Sequence, residues 1–118
     1  MSWNTLEKSS QIENLVEASH SKPQLIFKNS PICGISASAY RKVKAAYEDE
    51  QFAGTIWEVD VVGQRDLSRE IANFFMVKHQ SPQILLIVDG EAVYATSHFR
   101  IKRDKILEKW SEFTLSGS

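Results

Sequence analysis

The sequence predicts a three-layer α/β/α domain, with helices on both faces of a mixed four-stranded sheet. Two observations predict the parallel half. Residues 24–28 and 55–61 are strand-like, and between them Ile35, Ala39, Val43 and Ala46 recur every three or four positions, as a helical crossover requires. A third observation predicts the antiparallel half: residues 84–88 and 92–96 are separated by Asp89-Gly90-Glu91, and an Asp-Gly step between apolar runs is a strong hairpin signal.

Taken in order, Ser10 and Glu13 have the spacing of a capping box, and Ile12, Leu15 and Val16 repeat at helical intervals up to His20. Pro23 and the residues before it stop this helix, and residues 24–28 read as a brief buried strand. Asn29, Ser30 and Pro31 break the strand just before Cys33, which stands at the N-terminal edge of the next helix, ending near Glu48. Residues 55–61 alternate apolar with polar side chains and are rich in β-branched and aromatic types, as a strand is. Gly63 opens a turn. Leu67, Ile71, Phe74 and Phe75 then mark an amphipathic helix ending near Met76, with Asp66 its candidate N-cap. After the hairpin, Ile106, Leu107, Trp110 and Phe113 share one side of a last helix, and polar residues 114–118 are expected to fray. Trp3, Trp57 and Trp110 read as core or core-edge residues. With no repeat and no linker, residues 1–118 form one domain, and its order α-β-α-β-α-β-β-α with a right-handed crossover is of the thioredoxin type.

Composition narrows function. The 118 residues, 42% of them hydrophobic, suffice for one core, and 14 Lys and Arg against 15 Asp and Glu leave no positive field to draw nucleic acid or anionic membranes. The longest apolar runs fall far short of the roughly 20 residues of a membrane helix. The first residues lack a basic stretch followed by an apolar one, so a cytoplasmic location is expected. One cysteine excludes an intramolecular disulfide and a multi-cysteine zinc site, so a partner sulfur must come from another molecule. Three separated histidines without clustered carboxylates give no metal site.

Chemistry therefore centres on Cys33-Gly34-Ile35-Ser36. Unpaired N–H groups and the dipole at a helix N-terminus favour a thiolate, which attacks disulfides or is capped by a small thiol. Ser36, three positions on, is either a donor to the sulfur or an early-helix serine bonded to backbone. Ser81-Pro82 enters a strand; an ordinary trans residue is the base rate there, but in a thioredoxin-type order this proline is typically cis and faces the cysteine, leaving the backbone of the residue before it to pair with a bound substrate. His98 follows the last strand, where an imidazole favours a thiolate or a small thiol's carboxylate, or simply bonds to loop backbone. Lys28, at a strand end, either sits by the thiolate or, as is commoner, snorkels to solvent; His79 reads as a surface or turn residue, and His20 as a helix-end imidazole suited to the dipole.

Residues 25–30 leading into Cys33-Gly34-Ile35-Ser36, then Val59-Asp60-Val61, Ser81-Pro82-Gln83, Asp89-Gly90 and Ser97-His98, resemble the YtxJ family of monothiol bacilliredoxins over nearly the whole chain. The resemblance implies a glutaredoxin-like fold and removal of bacillithiol, or a similar low-molecular-weight thiol, from mixed disulfides on cytosolic proteins. Cys33 is then the attacking thiol, Pro82 the cis proline and Ser81 the residue presenting its backbone, while bacillithiol is substrate or adduct and no bound cofactor is implied. Two residues depart from the family pattern: Gly34 stands where proline is usual and Asn29 where histidine is usual, and Gly34 is expected to loosen the first helical turn and raise the thiol pKa. The rival readings are a redox-inactive adaptor binding partners in the Pro82 groove and a thiol stress sensor capped at Cys33.

Overall fold

The computed structural model describes residues 2–30 and 34–116. The chain runs β1 (Ser2–Thr5), α1 (Ser10–Ser19), β2 (Gln24–Asn29), α2 (Gly34–Tyr47), β3 (Thr55–Asp60), α3 (Arg65–Phe75), β4 (Gln83–Val88), β5 (Glu91–Ser97), a 3-10 turn at His98–Arg100, and α4 (Arg103–Ser116).

The sheet has five strands rather than the expected four, in the order β1-β3-β2-β4-β5. The extra strand is β1, four residues long and mostly polar, whose parallel pairing of Trp3 with Ile56 is a contact no local pattern announces. β2 lies at the centre, parallel to β3 and antiparallel to β4, and all six of its residues are buried. Successive side chains of a strand point to opposite faces. Leu25 and Phe27 accordingly join Val43 of α2 and Trp110 of α4 on one face, while Ile26 joins Leu15 of α1 and Ile71 of α3 on the other. The expected three layers are present, each half-core sealed by two helices.

The hairpin forms where Asp-Gly places it: Asp89 and Gly90 have φ of 51° and 78°, the two positive values of a type I′ turn. The capping box at Ser10 does not form. Ser9 precedes α1 without a side-chain capping bond, its hydroxyl donating to Glu70 Oε2 of α3, and the Gln11 carboxamide accepts from the N–H groups of Glu7 and Lys8 at 2.6 and 2.8 Å. Nor does Asp66 cap α3; Gln64 holds that position, and Asp66 lies in the first turn, where its charge suits the helix dipole. α4 continues through Thr114 to Ser116, into the segment expected to fray. Among the described residues no helix is long and apolar enough to cross a membrane.

Candidate functional site

The register of β2 on β4 fixes the site's location. Lys28 pairs with Gln83, so Ser30, which follows β2, and Pro82, which precedes β4, stand at the same end of the sheet. α2 begins there at Gly34. Cys33, the predicted nucleophile one residue earlier, lies outside the described residues.

Ser36 is fully buried in the first turn of α2, and its Oγ accepts the backbone N–H of Ser30 at 3.2 Å. This hydroxyl ties the end of β2 to the start of α2 and so closes the ends of the segment that carries Cys33. Its partner among the described residues is backbone, and the hydroxyl proton is not committed by this bond.

The Ser81–Pro82 peptide is cis. Pro82 is buried, and its carbonyl accepts the backbone N–H of His98 at 3.0 Å, which brings these two predicted residues together. Ser81 Oγ is buried and has no hydrogen-bond partner among the described residues. Three residues that sequence reasoning passed over brace this turn. The Gln83 carboxamide donates to the Lys78 carbonyl at 3.0 Å and accepts from the Gln80 N–H at 3.3 Å. Ser97 Oγ donates to Gln80 Oε1 at 2.5 Å. That hydroxyl proton being committed, Ser97 Oγ is left as acceptor for His98 Nδ1 at 3.0 Å, which places the proton of a neutral imidazole on Nδ1 and leaves Nε2 without a hydrogen-bond partner among the described residues. His98 is exposed and holds φ 55°, a left-handed conformation that turns the chain sharply after β5. Gln80, Ser97, His98, Phe99 and Arg100 line a cleft of 350 Å³ beside Pro82.

Lys28 does not snorkel. It is wholly inaccessible to solvent, and Nζ stands 3.0 Å from the Ser68 carbonyl of α3 and 3.0 Å from His79 Nδ1. Burial lowers its pKa from 10.5 to about 8. The His79 pKa is lowered too, first by burial and then by the charges of Lys28 and Arg69. A neutral His79 can accept from an ammonium, so the geometry and the direction of both shifts agree. The pair ties the end of β2 to the segment entering the Ser81–Pro82 turn. His79 is exposed, as the surface reading has it, and its contact with Lys28 shows only in spatial proximity across 51 positions.

On the opposite face, Glu58 accepts from Trp3 Nε1 at 2.9 Å and from Asn29 Nδ2 at 2.8 Å, a polar bridge across β1, β3 and β2 next to the strand end. His20 follows α1 and meets Asp89 of the hairpin turn at 3.4 Å, remote from Pro82 along the strands. Among the described residues no group of three or more His, Cys, Asp or Glu is disposed to hold a metal ion.

Residues 4–106 match the family model of the monothiol bacilliredoxin BrxC. Solved structures share the fold. One described as having a thioredoxin fold is 31% identical, with 90% of this chain and 91% of that one covered at a TM-score of 0.80. A mutant thioredoxin from Halobacterium salinarum is 17% identical, covering 96% and 91% at 0.74, and Fasciola hepatica thioredoxin is 22% identical, covering 92% and 97% at 0.70.

Proposed function

The chain belongs to the monothiol bacilliredoxin family BrxC, and from that premise we propose that it removes bacillithiol, or a similar low-molecular-weight thiol, from mixed disulfides on cytoplasmic proteins through Cys33. The observation that carries this reading is the family match over residues 4–106, a span that includes Cys33, Ser81, Pro82 and His98 within a thioredoxin fold.

The proposed reaction is two successive exchanges. The Cys33 thiolate attacks the bacillithiol sulfur of the mixed disulfide; a new S–S bond forms on Cys33, the old one breaks, and the protein leaves as thiolate. The single cysteine cannot resolve this adduct internally. A second small thiol attacks the bacillithiol sulfur, giving the small-molecule disulfide and regenerating the Cys33 thiolate, so the electrons come from external thiol. The α2 N-terminus stabilises negative charge on the sulfur. Ser36 positions the chain on either side of Cys33 through Ser30, and the backbone of Ser81 beside Pro82 pairs with the substrate chain. His98, with Nε2 unpartnered among the described residues, contacts a carboxylate of the small thiol when protonated.

The test is incubation with a model protein carrying a bacillithiol mixed disulfide, followed by intact-mass analysis of both partners. Transfer of the bacillithiol mass to this chain, absent in Cys33→Ser, is the expected result. No transfer, together with a Cys33 unreactive toward small disulfides near neutral pH, overturns the exchange reading in favour of an adaptor that binds partners at the Pro82 groove.

A further inference from the structure

One cleft of the described surface does not contain the Pro82 turn but shares Arg100 with the smaller cleft beside it. It has a volume of 780 Å³ and lies between α2, β5 and the start of α4. Five cations line it, Lys42, Arg100, Lys102, Arg103 and Lys105, against two carboxylates, Asp104 and Glu108. For a chain with a net charge of −1 this is a local concentration of positive charge.

Ion pairs divide the five into two groups. Arg103 is held by Asp49 and Asp104, and Lys105 by Glu108. Lys42, Arg100 and Lys102 have no ion-pair partner among the described residues. The first turn of α4 also forms part of the wall, adding the partial positive charge of a 14-residue helix at its N-terminus. Tyr94 and Thr96 supply hydroxyls on the β5 side.

The cleft shares a wall residue with the smaller one beside Pro82. Arg100 lines both this cleft and the smaller one beside Gln80, Ser97 and His98, and the His98 N–H holds the Pro82 carbonyl. Phe99, 66% exposed, lines the smaller cleft and offers an apolar contact there. The volume is that of several side chains, more than a single small anion fills.

We infer that this cleft docks an acidic segment of the protein whose mixed disulfide is presented to Cys33, with Lys42, Arg100 and Lys102 as the cations that meet its carboxylates. This rests on the exchange reaction proposed above and extends it to the protein half of the substrate. Complementary charge of this kind raises the rate of encounter and selects among partners, and it weakens with salt.

The experiment compares two model peptides, each carrying one cysteine in mixed disulfide with bacillithiol and differing only in flanking Glu or Lys residues. The reaction of Cys33 with bacillithiol disulfide is followed in parallel. At low salt the acidic peptide is expected to react about tenfold faster than the basic one, and the ratio to fall toward one near 0.5 M salt, where the Debye length is only about 4 Å. The double variant Lys42→Glu, Lys102→Glu is expected to invert the preference, and the milder Lys42→Gln, Lys102→Gln to reduce it, with circular dichroism confirming the fold of each. Equal rates for the two peptides, or a preference that neither variant changes, overturn the docking cleft while the reaction with bacillithiol disulfide remains. Loss of that reaction in the unaltered protein overturns the exchange function itself.

Discussion

The ammonium of Lys28 and Nδ1 of His79 stand 3.0 Å apart at the end of β2, the lysine wholly inaccessible to solvent and the histidine exposed. Folded Lys28 releases its proton near pH 8, whereas in the unfolded chain it does so near 10.5. Between those values the unfolded state binds more protons, so rising pH favours the fold; the cost of the buried charge is complete below pH 8 and gone above 10.5. The unfolding free energy of the protein relative to Lys28→Met is therefore expected to rise through this window, at no more than about 1.4 kcal/mol per pH unit. Urea titrations at several pH values check it, and parallel curves for the two proteins would contradict it.

His79 acts on the acid side. Its folded pKa lies below the ordinary 6.5, so the unfolded chain takes up the proton first and stability is lost as pH falls through that value. His79→Gln, which can still accept from Lys28, is expected to flatten the loss of stability between pH 7 and 5. Thermal melts over that range read the effect directly.

Ser36→Ala removes the acceptor for the Ser30 N–H. The expected cost is about 1 kcal/mol of stability. Hydrogen exchange at the Ser30 amide should accelerate at least tenfold, well beyond any change at amides in the centre of β4, and an unchanged Ser30 amide would show that the hydroxyl does not hold this loop.

A methyl group at Gly54 would lie 1.9 Å from the Trp110 ring. That ring is buried and packs against Phe52 with centroids 4.4 Å apart, so it has no free space to enter. Gly54→Ala is expected to destabilise by about 1–3 kcal/mol and to shift the tryptophan fluorescence.

Met76 ends α3 with φ 57°, and its side chain is 89% exposed. Only glycine adopts this conformation without strain, and removing an exposed side chain sacrifices little burial. Met76→Gly is expected to stabilise by about 0.5–1 kcal/mol, measured as a higher midpoint in urea with an unchanged slope.

What the sequence made legible was whatever repeats locally. The crossover helix shows in Ala39, Val43 and Ala46, all three buried, and the hairpin shows in Asp89-Gly90. β1 was illegible because four mostly polar residues alternate too little to declare a strand; its ladder is made with β3, more than fifty positions away. The expected capping box at Ser10 and Glu13 is absent; the local side-chain bonds come instead from the Gln11 carboxamide, which accepts from the N–H groups of Glu7 and Lys8 ahead of the helix. Pro82 and His98 meet through one backbone hydrogen bond, at the sheet end where the element order places both, while Cys33 lies outside the described residues. Residue type does not reveal depth, and so Lys28 was read as solvent-seeking when the Ser68 carbonyl and His79 together satisfy it inside.

Phe27 and Lys28 are neighbours in β2, and their side chains enter opposite half-cores. A slip of one position in the pairing of this strand would drive an ammonium in among Val43 and Trp110 and leave a phenyl ring against the Ser68 carbonyl. Every alternative alignment by an odd number of residues carries that exchange. The buried charge thus serves as a key to a lock: it stabilises the domain little, yet it tells the central strand which way up to lie.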